Sequence, residues 1–145
     1  MFGHNDDIAM VRLKKNTTIP HVQLPNCQNR LRIGDTVQLA GNAATRTGNH
    51  HERIPMDMPA HLQCVTMNVA AINVNDPRQG HIFTVQSPGR DACCGDSGGG
   101  VVRNNMIYGV ISFTYNGTHA CQAPVGVMDV CKYLPRIIEV LNRPL

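Results

Sequence analysis

Cys93-Cys94-Gly95-Asp96-Ser97-Gly98-Gly99 is the stretch on which the reading of this 145-residue chain turns. A serine hydroxyl is a weak nucleophile, and a loop that presents one for chemistry needs glycine on both sides. Glycine accepts tight, positive-φ backbone and lets a carbonyl carbon come close. The amide hydrogens of such a loop can then point inward and hold a developing oxyanion. About ninety residues upstream stands a second segment, Asn5-Asp6-Asp7-Ile8-Ala9-Met10-Val11-Arg12-Leu13, in which acids lead into an apolar run.

Working outward, the chain has the length of one domain and can bury roughly 70% of its unfolded surface. Apolar residues make up 42% and charged residues 16%, which argues against disorder and against a coiled coil. The net charge is +3, and the thirteen Lys and Arg are scattered. Arg12-Leu13-Lys14-Lys15, the longest cationic run, is too short for a nucleic-acid patch and reads as a solvated face. No apolar run approaches the roughly 18 residues of a membrane span. Six cysteines resemble an extracellular disulfide set, and the sequons Asn16-Thr17-Thr18 and Asn116-Gly117-Thr118 agree with secretion. Met1-Phe2-Gly3-His4 has neither the basic nor the apolar region of a signal peptide. The expectation that reconciles these is a chain beginning inside a larger protein.

Short β-type runs separated by turn residues, Asp35–Ala40 alternating at period two, predict an all-β fold, a barrel or a sandwich. The runs are Ile8–Leu13, Asp35–Ala40, Leu62–Ala71, His81–Gln86, Gly100–Arg103 and Met106–Phe113. Asn104-Asn105 fits a hairpin turn between the last two. Pro135 suits a first helical turn, and Ile137, Ile138 and Leu141 would share one face of a terminal helix over 135–142. Thr45–Pro55 reads as a polar loop.

The serine and aspartate segments together resemble those of the chymotrypsin/trypsin family of serine peptidases. Val22-Gln23-Leu24-Pro25, Ile111-Ser112 and Val130-Cys131-Lys132-Tyr133 are further family-like words. The resemblance runs from Asn5 to the end of the chain. It implies an incomplete trypsin-like double β-barrel: the end of the first barrel and the crossover over 1–25, the second barrel over 26–134, and the helix over 135–142. It assigns Asp7 to orienting a catalytic histidine and Ser97 to attacking the scissile carbonyl, roles drawn from the standard description of this family. The N–H groups of Gly95 and Ser97 would form the oxyanion hole, and Asp96 would pair with a new α-amino terminus. Asp91 would sit at the base of the specificity pocket and select Arg or Lys. Ser112-Phe113-Thr114 would pair with substrate backbone, and Gly126-Val127 would form the far pocket wall. Thr114 stands where the family has glycine, and Gly100 where it usually has proline.

The resemblance also implies disulfides Cys93–Cys121 and Cys27–Cys131. Cys64 and Cys94 are left over: they are buried or pair together, or one bridges to another molecule. The family's histidine segment is missing, with no Ala-Ala-His-Cys word and no Ile-Val-Gly-Gly start. His4, three residues before Asp7, lies too near to be carried over. The expectation is an inactive chain, since loss of a triad histidine costs on the order of 10⁶ in turnover. Two functions therefore stand: a serine endopeptidase cleaving after Arg or Lys, with a protein or peptide as substrate, and a non-catalytic homologue that binds a protein partner. Without its ammonium partner Asp96 should leave 91–97 disordered, and strands lacking a first barrel should expose edges and aggregate.

No cofactor and no metal is expected, since His50-His51 and His61 show no zinc-pair spacing and read as loop surface. Cys93-Cys94 reads as a disulfide plus a rim thiol rather than as a cysteine nucleophile. Asn5-Asp6-Asp7 could mimic a cation site, but the strand after it favours the triad-aspartate reading. Met56-Asp57-Met58 reads as a loop with partly buried methionines.

Overall fold

Alternation sets the first wall. In β1 (Thr36–Gly41) Val37 and Leu39 point inward while Thr36 and Gln38 face solvent. The computed structural model describes residues 6–54 and 58–144. Within them follow β2 (Gln63–Asp76), β3 (Gly80–Gln86), β4 (Gly100–Arg103), β5 (Met106–Thr114), β6 (Val125–Asp129) and α1 (Val130–Leu141). His4, Met56 and Asp57 lie outside the described residues; Met58 is exposed rather than partly buried.

All neighbouring strands are antiparallel, in the order β1-β2-β3-β6-β5-β4, and the sheet closes where Gln38 and Leu39 meet Val102 and Val101. The β4–β5 hairpin turns at Asn104 and Asn105, both at positive φ (51° and 59°), as a two-residue primed turn requires. Closure removes the exposed strand edges expected from the sequence. It also explains why Ile8–Leu13 forms no strand: every barrel strand already has two neighbours. The segment runs instead as an arm without regular secondary structure, and Ile8 packs against the cluster under the helix.

Two apolar clusters share the barrel wall. Val37, Met67, Val69, Val85, Val101 and Val127 fill the interior with their neighbours, while Ile82, Met128, Val130, Tyr133 and Ile137 form the seam between the wall and α1. Strand β6 serves both, so all five of its residues are buried. The helix begins five residues before the predicted position, because Asp129 caps it by accepting from the Cys131 N–H (3.2 Å). Pro135 is therefore interior, and the packed face is Val130, Tyr133 and Ile137; Ile138 and Leu141 are exposed.

The arm is fastened at several points. Arg30 pairs with Asp129, and Cys27 is bridged to Cys131 across 104 residues. Gln23 exchanges backbone bonds with Asn105 and Ile107. At its start the Tyr133 hydroxyl donates to Asp6 Oδ1 (2.7 Å) and accepts from the His81 N–H (2.9 Å). Burial, then the Asp6 bond, push the Tyr133 phenol up to about 12. A raised acid favours its protonated form in the fold, so this contribution is complete below pH ~10 and fades as pH rises toward 12. Alkaline absorbance titration should show one tyrosine ionising near 12 that disappears in Tyr133→Phe. That variant should also lose about 1–2 kcal/mol in urea unfolding, because the His81 N–H loses its acceptor. An unchanged titration curve contradicts the assignment.

Candidate functional site

Glycine placement shapes the serine loop. Two turns meet at Asp96: its N–H bonds the Cys93 carbonyl (3.0 Å), and its carbonyl accepts from the Gly99 N–H (3.0 Å). The third residue of each turn is a glycine at positive φ, Gly95 at 110° and Gly98 at 90°. Ser97 lies between them on the exposed corner. The loop then joins the sheet, with Gly98 N–H donating to the Ile111 carbonyl and Ile111 N–H to that of Gly99, both at 2.8 Å.

Asp96 ties this loop to the next. Its carboxylate accepts from the Cys93 N–H (2.9 Å) and from the Ala43 N–H (3.1 Å). Two neutral donors thus occupy the acid, and 91–97 adopts defined turns instead of the disorder expected. Gly41 must lack a side chain, since a Cβ there would overlap Asp96 Oδ1.

The β5–β6 register shifts between Ile111 and Phe113, and Ser112 is the extra residue. A bulge frees a residue from the ladder and re-aims it. Ser112 uses that freedom twice, its hydroxyl donating to Asp7 Oδ2 and its carbonyl accepting from Ser97 Oγ (3.0 Å). One residue therefore holds Asp7 and Ser97 on its two sides. Asp7 is anchored separately by its N–H to the Gln79 carbonyl (2.9 Å). Among the described residues no imidazole bonds to either group; His81 instead stacks at a tilt near Tyr133. Beside Ser112, the Phe113 ring covers Gly126, and Thr114 Oγ1 donates to the Asn116 carbonyl (3.3 Å).

Asp91 is not open to solvent. Its side chain is 6% exposed and is paired at 2.5 Å with Arg53, itself 7% exposed. Asp91 also accepts from the N–H groups of Ala92 and Cys121, both at 2.8 Å. Arg53 was invisible as a site residue in the sequence, where it is one cation in a polar loop. Both residues line a cavity of about 410 Å³ that also reaches Gly41, Ala43, Cys93 and Asp96 but not Ser97.

Of the two implied disulfides, Cys27–Cys131 is formed, but Cys93 and Cys121 carry free thiols, as do Cys64 and Cys94. The segment bearing Cys121 is tied to the serine loop through Asp91 and Arg53 instead. Burial first, then the Asp91 carboxylate, also push the Cys121 thiol up, so less of it is thiolate at neutral pH. Cys64 and Cys94 are exposed, which corrects the buried alternative. No group of three or more potential metal ligands occurs among the described residues, and no described helix is long and apolar enough to cross a membrane.

The family model described as Trypsin matches residues 2–137. Human Kallikrein-14 is 33% identical over 150 residues, covering 96% of this chain and 53% of that protein. Human Kallikrein-11 is 26% identical and also covers 96% of this chain, with 50% of its own length. Among solved structures, neuropsin, a serine protease expressed in mouse brain, superposes with a TM-score of 0.67 at 21% identity, over 83% of this chain and 53% of its own. A mutant of human heparin binding protein gives 0.69 at 23%, over 92% and 56%. A scabies mite inactivated protease paralogue gives 0.62 at 19%, over 85% and 53%. The chain spans about half the length of the curated relatives it matches. Its barrel and terminal helix are those of a trypsin-like protease fold, and the chain belongs to the trypsin family.

Proposed function

We propose that these residues supply the nucleophile and acid of a trypsin-like serine endopeptidase site, with hydrolysis dependent on an imidazole from outside them. In this reading Ser97 is the nucleophile, Gly95 and Ser97 N–H groups are the oxyanion donors, and Asp7 orients the base. The observation that carries it is the pair of bonds by which Ser112 holds both Asp7, through its hydroxyl, and Ser97, through its carbonyl. As it stands, Ser97 Oγ donates to a backbone carbonyl, which cannot take its proton, so the alcohol is not activated. A protein or peptide is the substrate class; the family reading of Asp91 is selection of Arg or Lys, which the Arg53 pair opposes in this chain.

The test uses the 145-residue chain and a fluorophosphonate probe. The expected result is labelling at least a thousandfold slower than that of trypsin, with Ser97→Ala no different. Rapid labelling that Ser97→Ala abolishes overturns the proposal.

A second reading, a non-catalytic homologue that binds a protein partner, is favoured by the buried Arg53–Asp91 pair, which leaves the pocket acid no free charge. In either case secretion fits the bridged Cys27–Cys131 pair and the exposed sequon at Asn16. The exposed thiols of Cys64 and Cys94 suit an intermolecular bridge.

A further inference from the structure

We propose that Arg53 is the resident counter-ion of Asp91 and the specificity-determining residue of this site, so that the pocket takes uncharged rather than cationic side chains. The inference rests on the reading that Asp91 lies at the base of the pocket beside Ser97. Arg53 does not brush past the acid. Its Nη2 donates to Asp91 Oδ2 at 2.5 Å, Nη1 to the Ala92 carbonyl at 2.7 Å, and Nε to the Asn116 carbonyl at 3.0 Å. All three nitrogens of the fork are thus engaged, a geometry that lysine cannot copy.

The backbone beneath is pinned as well. Arg53 N–H donates to the Thr118 carbonyl (2.9 Å), Ala120 N–H donates to the His51 carbonyl (2.8 Å), and Glu52 bridges His119. The arginine therefore arrives on a loop already paired to the segment that leads to Cys121. On the acid's side, Oδ1 is taken by Ala92 N–H, and Oδ2 by Cys121 N–H as well as by Arg53.

A ligand ammonium or guanidinium brought to Asp91 would meet a carboxylate that is already neutralised and 6% exposed. It would have to shed its own water beside the buried Arg53 charge, and like charges at short range in a poorly hydrated site repel strongly. An uncharged side chain meets neither obstacle.

The probe is p-aminobenzamidine, a small planar cation whose fluorescence reports burial, titrated into the folded chain with calorimetry in parallel. The unaltered chain should show no saturable binding up to millimolar concentration. Arg53→Gln should bind at least tenfold more tightly, and Arg53→Gln with Asp91→Asn should lose that gain. Should Arg53→Gln fail to fold, Arg53→Ala is refolded with the amidine present, which is expected to raise its Tm while leaving that of the unaltered chain in place. Saturable, Asp91-dependent binding by the unaltered chain overturns the assignment of Arg53. A folded Arg53→Gln chain that ignores the amidine overturns the placing of Asp91 in the pocket. Neither outcome bears on the fluorophosphonate test, which reads Ser97 alone.

Discussion

Cys27→Ser should lower the unfolding free energy by about 4–5 kcal/mol, close to what the chain-entropy estimate gives for a loop of roughly a hundred residues. The bridge spans 104 residues and encloses the whole barrel between the arm and the first turn of α1. Without it the unfolded chain gains the freedom that the crosslink removes. Local contacts would weaken too: the Arg30–Asp129 pair and the Asp129 cap lie within a few residues of the bridge, and both depend on the arm meeting the helix start. Urea unfolding without reductant measures the effect, with Cys131→Ser as a second route to the same loss. Because both substitutions remove one bond, the double variant should cost no more than either single one. A loss under about 1 kcal/mol, or additive losses, would show that the two thiols are unbridged in solution.

What could be read from the residues and what could not separates along one physical line, the range of the interaction. Strand β1 and the first half of β2 were visible because one face is buried and the other wet, which writes alternation into neighbouring positions. Strand β6 escaped because the barrel interior takes Val125 and Val127 while the helix seam takes Met128, and a strand buried on both faces carries no period. The helix start was misread for a similar reason: Pro135 was the strongest local signal, but the start is set by the Asp129 cap. Ile8–Leu13 has strand composition and no strand, since a closed sheet offers it no partner. At the site, Ser97 and Asp96 belong to one contiguous loop whose glycines announce it. The sequence points to the backbone of Ser112, yet its hydroxyl reaches Asp7, 105 positions away, at a bulge that no local pattern announces. Arg53 bonds an acid 38 positions distant, and a single arginine in a polar loop has no local pattern to betray that.

That long-range pair has the second large effect. Asp91→Ala should destabilise the chain by about 3–5 kcal/mol, because it leaves a guanidinium buried with no opposite charge. Arg53 would keep its bonds to the carbonyls of Ala92 and Asn116, but these dipoles do not replace a carboxylate. Arg53→Ala should cost somewhat less, since Asp91 retains the N–H groups of Ala92 and Cys121. The informative variant replaces both. In Arg53→Met with Asp91→Leu no charge is buried, so the double change should lie within about 1–2 kcal/mol of the unaltered chain. The cycle then gives a coupling of at least about 2 kcal/mol, far above the 0.2–1 kcal/mol typical of exposed pairs. Additive losses in urea unfolding would mean that the two groups are hydrated separately, and would take away the buried pair on which the exclusion of cationic side chains depends.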